Sequence, residues 1–160
     1  MALTVQQPFA HLLSLPDTDD RAKRVENRTW STNYRGPLAI HAGKGRDYLD
    51  DGDLETFPDM AFGAIVAVAN LAACFELEYI PDYSGYDSAG DGYYSGRNVK
   101  VVPQWALRHW PWLAGHQHVE GPWCWVLTEV RRLPKPVPCK GAQGLWNVPH
   151  AILATLSSMY

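Results

Sequence analysis

Cysteine is scarce in this 160-residue chain: Cys74, Cys124 and Cys139 are an odd number at wide spacing. That pattern gives neither a disulfide framework nor a C-x-x-C metal knuckle, and it suits a reducing, cytoplasmic setting. Cys74 and Cys124 fall in apolar runs that read as core strands, where buried, inert thiols are expected. Long apolar runs are also missing. No stretch approaches the ~18 residues of a membrane span, and MALTVQQPFA lacks a basic region followed by a long apolar run, so neither a membrane partner nor a targeting segment is expected. The G-x-G-x-x-G, Walker and G-x-S-x-G loops are absent, which removes the usual signals of nucleotide cofactors and serine hydrolases, and no cofactor is expected. His116-Gln117-His118 could chelate from one strand face, but it lies between Gly115 and Gly121 with no further ligand at a suitable spacing. It reads as a solvated loop, not a metal site.

Excess positive charge is lacking too. The formal net charge is −3, which argues against gripping a nucleic-acid backbone by bulk electrostatics. The distribution is uneven: Arg21 to Arg46 holds seven Lys or Arg residues against the single acid Glu26, whereas Asp47 to Gly96 holds eleven acids and no Lys or Arg. One end is therefore suited to attract a phosphate, and the acidic 47–96 region to contact a protein partner; a solvated basic edge facing a solvated acidic loop is the other reading.

What is present is a core. At 46% hydrophobic and 12% aromatic residues, the chain can fill one interior, and its length favours a single domain over residues 1–160. Leu3–Val5 reads as a strand, and PFAHLLSL as a short helix opened by Pro8 and ended at Pro16. RAKRVENRTW leads into a strand, NYRG turns, and PLAIHAG forms the next strand, with Leu38 and Ile40 on one face and His41 with Ala39 on the other. A short acidic helix is expected within 45–56. AFGAIVAVANLAACFELE predicts a long central strand, bent near Asn70. Residues 79–98, rich in Tyr, Gly and Asp, predict a flexible insertion that could act as a lid. PQWALRHWPWL reads as a helical or turn segment, PWCWVLTEVRRL as a strand, PKPVPCKGAQGLW as a rigid loop delivering the strand LWNV, and VPHAILATLSS as a final helix. The order is α+β: a small mixed β-barrel flanked by short helices.

The segment Lys23-x-x-Glu26-x-Arg28 sets a carboxylate between two cations, an arrangement that tolerates modest burial. On a strand Glu26 and Arg28 share a face. Lys23 joins them only if the chain bends at a loop-to-strand junction; otherwise the segment is an ordinary salt-bridged strand.

These residues resemble the G-x-K-x-x-E-x-R pattern of the ASCH family, related to PUA domains, with Arg21 standing at the family's glycine position. Three further stretches resemble the family in order: T-V-Q-Q-P-F-A its S-x-R-Q-P-[WY]-A opening, Y-R-G-P-L-A-I-H-A its next strand, and K-G-A-Q-G-L-W-N-V its closing G-x-x-G-L-W strand. The resemblance implies a PUA-like barrel whose cleft binds RNA or a modified nucleoside or nucleotide. Arg28 offers planar donors, Lys23 a mobile cation, Glu26 an acceptor for an exocyclic amine, and Gln6 or Gln7 an amide that both donates and accepts. Trp30 is a candidate stacking surface, a contact worth roughly 1–3 kcal/mol per base; Trp123, Trp125 and Trp146 lie in apolar strand patterns and are expected to pack. Some ASCH-like proteins remove the acyl group from N4-acylcytidine with a K-x-x-T-x-R motif. Here Glu26 replaces the threonine, so a Glu26-activated water with Lys23 stabilising the oxyanion would be the catalytic route. A ribonuclease with His41 as acid or base and Lys44 holding the phosphate is a further alternative.

Overall fold

The longest apolar run of the chain becomes its central strand. The computed structural model describes residues 1–81 and 98–158, and within them β4 (Ala64–Glu76) lies between β3 (Gly36–Ala42) and β7 (Trp123–Pro138), antiparallel to both. β2 (Val25–Arg28) pairs with the outer side of β7. β1 (Ala2–Val5) pairs parallel to β3, and β8 (Leu145–Trp146) closes the other edge against β1. The resulting order, β2-β7-β4-β3-β1-β8, is a six-stranded sheet curled into a half-barrel.

The curl has a local cause. Register shifts interrupt the β4–β7 ladder at three places, between Ile65 and Ala67, between Val68 and Asn70, and between Leu71 and Ala73, and β-bulges of this kind bend and twist a strand. The bend expected near Asn70 is therefore real. One expectation is corrected: residues 134–138, expected as part of a rigid loop, continue β7, with Val137 and Pro138 opposite Ile65 and Ala64. Pro134 and Pro136 fall inside the irregular stretch between the Arg132 and Val137 pairings, where a missing N–H removes no ladder bond.

Alternation sorts the side chains. Leu3, Val5, Leu38, Ile40, Trp125 and Leu127 point into the half-barrel, which is plugged by helix α1 (Phe9–Ser14) through Ala10 and Leu13. Fully burying one Leu or Ile of this set stabilises by about 1.5–3 kcal/mol. The opposite face is covered in two patches. Helix α3 (Gln104–His109) and a 3-10 turn (Pro111–Leu113) sit over Val25, Phe75, Cys124 and Val126. Helix α4 (His150–Ser157) sets Leu156 over Ala39, Ile65 and Val137. Helix α2 is only Asp53–Thr56, shorter than the expected acidic helix, because glycine and a lack of apolar partners leave it nothing to pack on.

Of the expected 79–98 insertion, residues 82–97 lie outside the described residues; its stems form a two-stranded ribbon, β5 (Glu78–Pro81) with β6 (Asn98–Val101). Among the described residues, no helix is long and apolar enough to cross a membrane.

Candidate functional site

The two edges of the half-barrel approach each other at its mouth, and the Lys23/Glu26/Arg28 segment lies there. Val25–Arg28 pairs with β7 so that Glu26 stands opposite Trp125, which points inward; Glu26 and Arg28 therefore face the interior together. Lys23 precedes the strand in a bend, fixed by its N–H donating to the Leu12 carbonyl. From there its ammonium returns to the same point: Nζ donates to Glu26 Oε2 at 2.7 Å and lies 4.7 Å from the Phe9 ring centre. Arg28 bonds the other carboxylate oxygen, Oε1, at 3.1 Å and donates to the Thr4 carbonyl at 2.7 Å. One guanidinium thus ties edge strand β2 to β1 across the mouth.

Lys23 and Glu26 are buried, with side chains only 5% and 7% exposed, while Arg28 is 24% exposed. With two cations on one carboxylate, the cluster carries one net positive charge. Arg28 Nε is shielded from solvent and has no acceptor, and Gln6 Oε1 is likewise shielded with no donor. A buried polar group left unpaired costs about 1–3 kcal/mol. Both atoms belong to residues lining a cavity of about 670 Å³, whose walls include Glu26, Arg28, Trp30, Phe9 and Tyr48, with the Ala142–Gly144 loop as its rim.

The expected site residues separate into four places. Gln6, Glu26, Arg28 and Trp30 line this cavity, and Lys23 stands behind Glu26 as its counter-ion. Trp30 packs edge-to-face on Trp125 at 4.7 Å and accepts the Trp125 indole N–H on its carbonyl. Gln7 lies elsewhere. It is fully buried, accepting the His11 N–H on Oε1 and donating to the Ala61 carbonyl, so its amide braces the start of α1 against the approach to β4. His41 and Lys44 line a second cavity of about 390 Å³ that shares Thr4, Gln6, Ala142 and Gln143 with the first. His41 Nε2–H donates to the Cys139 carbonyl at 2.9 Å, which leaves Nδ1 as the lone-pair nitrogen, and Nδ1 has no partner. Burial, supported by Lys44, holds its pKa below the ordinary 6.5 against the pull of that carbonyl.

Two features of the cavity had no sequence signal. Glu120 lines it, whereas Glu129, on β7, is exposed and outside it. Glu120 is positioned by Asn27, whose Oδ1 accepts the N–H groups of Glu120 and Gly121 while its Nδ2 donates to the His118 carbonyl. Asn27, between Glu26 and Arg28 on β2, also lines the cavity, and its side chain organises the loop from His118 to Gly121. In that loop the His116 and His118 rings stand 5.6 Å apart, and burial lowers both pKa values. Among the described residues no cluster of three or more His, Cys, Asp or Glu side chains is placed to hold a metal ion.

No family model matches the chain, and no curated protein matches it.

Proposed function

We propose that the chain is an ASCH-type, PUA-like domain that binds a nucleoside-sized or nucleotide-sized group, free or as part of RNA, in the cavity around Glu26 and Arg28. The observation that carries this reading is one cavity that brings the polar side chains of Gln6, Glu26 and Arg28 together with the aromatic rings of Trp30, Phe9 and Tyr48 in its walls. A planar heterocycle with donors and acceptors along its edge suits such polar side chains and packs on aromatic walls. The single net charge of the cluster and the overall charge of −3 suit a small group better than a long phosphate backbone. Three free thiols suit a cytoplasmic protein.

Binding is favoured over hydrolysis by the placement of Lys23. Its ammonium is committed to Glu26 and the Phe9 face and is not part of the cavity wall, and both Glu26 oxygens already accept from cations. An amidohydrolase acting on N4-acylcytidine needs those groups free for water and oxyanion. A ribonuclease built on His41 and Lys44 would have to work from the second cavity.

The test is titration of the protein with the four ribonucleosides, N4-acetylcytidine and short single-stranded RNAs, followed by tryptophan fluorescence, with chromatography of the same mixtures. Saturable binding to at least one of them, weakened about tenfold or more by Arg28→Lys through loss of the planar donor edge, is expected. Release of acetate, abolished by Lys23→Ala, would replace the binding reading with the hydrolase. Absence of any binding or turnover would overturn both and leave the exposed acids Asp47, Asp50, Asp51 and Glu55 as a surface for a protein partner.

A further inference from the structure

The two cavities differ in charge, and they meet at one side chain. The first is lined by two carboxylates, Glu26 and Glu120, and one cation, Arg28. The second has Lys44 and Lys140 in its wall and no carboxylate. His41, also in that wall, has its pKa lowered by burial and by Lys44, against the pull of the Cys139 carbonyl. Gln6 stands between them. Its amide is packed so closely against Gly43 and Gly45 that a Cβ at either position would come within 2.7–2.8 Å of Oε1, so the backbone there fixes the amide on the divide. Thr4, Ala142 and Gln143 complete the shared wall.

The second cavity is also formed by backbone that approaches unusually closely. Gly141 lies against His41 and Thr4, with no room for a side chain, and Thr4 Oγ1 donates to the Ala142 carbonyl at 2.9 Å. This pins the Lys140–Gln143 loop beside Lys44. Among the described residues, the N–H groups of Gly141, Ala142 and Gln143 have no acceptor. Two ammonium groups in a wall that holds no carboxylate make this cavity suited to an anion.

We infer that the second cavity is a phosphate seat, and that the ligand of the joined site is a nucleoside 5′-monophosphate, with its base beside Glu26 and Arg28 and its terminal phosphate between Lys44 and Lys140. This rests on the base-binding reading above and adds to it the chemical class of ligand. The two volumes, about 670 and 390 Å³, each lie in the range of small-molecule sites, roughly 300–1,000 Å³, so base and phosphate need not compete for space. Both lysines are exposed, so each contributes modestly, and the pair together is expected to favour the phosphorylated ligand by about tenfold.

The experiment compares each ribonucleoside with its 5′-monophosphate, and with a dinucleoside monophosphate whose one phosphate is an internal diester, by calorimetric titration of the full chain. The expected result is a 5′-monophosphate bound about tenfold more tightly than its nucleoside, an advantage reduced in 0.5 M salt and lost in the Lys44→Gln, Lys140→Gln double variant. That variant should still bind the nucleoside as the parent does. Equal affinity for nucleoside and monophosphate would overturn the phosphate seat while leaving the base site standing. An equal gain from the internal diester would show that the cavity takes a bridging phosphate of a longer chain and overturn the terminal-phosphate assignment. No affinity for any nucleoside or nucleotide would overturn both readings together. Because both lysines are at the surface, an unchanged thermal midpoint is expected of the double variant, and it separates loss of the seat from loss of fold.

Discussion

Replacing Glu26 by glutamine tests the central electrostatic argument. The substitution keeps the shape and removes the charge, leaving the Lys23 ammonium, 5% exposed, with an amide oxygen and the Phe9 ring in place of a carboxylate at 2.7 Å. It also leaves two cations facing one another, since Arg28 loses its Oε1 partner at 3.1 Å. Breaking a buried ion pair by removing one partner costs about 3–5 kcal/mol, against 0–1 kcal/mol for an exposed pair. For a chain of this length, 3 kcal/mol corresponds to a fall of about 6–12 °C in thermal midpoint. Lys23→Met should be milder, because Glu26 keeps Arg28 and the methionine can follow the path of the lysine stem. Urea unfolding of the parent, the two single variants and the double variant measures both costs and the coupling between them. A loss below about 1 kcal/mol for Glu26→Gln, or a larger loss for Lys23→Met, would refute the claim that Glu26 is the obligatory counter-ion of a buried cation.

Three other outcomes follow from the same geometry. His11 and His41 both have pKa values lowered from 6.5, chiefly by burial, so the unfolded chain takes up protons before the folded one does. Stability should be level above about pH 6.5 and fall as the pH drops below it, and His41→Gln should flatten part of that slope in urea titrations between pH 7.5 and 5. Asn27→Ala removes the acceptor of two loop N–H groups and the donor to His118; a loss of about 1–3 kcal/mol is expected, with faster amide exchange at Glu120 and Gly121. Gly141→Ala places a methyl against the His41 ring and Thr4 Oγ1, so it should displace the 140–143 loop, seen as altered His41 ring resonances, where the same change at Gly52, with open space around it, should leave them unmoved.

Much of the fold is legible because alternation and punctuation act locally. The apolar run of 64–76 had to be a central strand, Pro8 and Pro16 bracket α1, and the parity of Leu38, Ile40 and His41 held although the ladder slips beside His41. The proline run at 134–138 misled for an equally physical reason. Proline is excluded from a regular ladder, and it is admitted here by the irregular pairing of β7 with β4, which only the partner strand sets. The candidate site was half legible. Glu26 and Arg28 sharing a strand face follows from a period of two, and the bend required to return Lys23 to them was foreseeable as a condition, though not as a fact.

What the sequence alone determined is the inventory and its local arrangement: a carboxylate flanked by two cations at strand spacing, adjoining a tryptophan, in a chain with one core and no excess positive charge. Only the tertiary structure decided which atoms are left unpaired. Arg28 could have met any acceptor, but β1 presents the Thr4 carbonyl to its terminal nitrogen, and Nε is left shielded from solvent with no acceptor. Gln6 and Gln7 are identical neighbours in sequence, yet one is spent on α1 and Ala61 while the other divides two cavities. Those differences arise from contacts across 20 to 140 residues of chain, where no local rule of spacing reaches, and burial then sets their weight by removing the water that would otherwise satisfy each group.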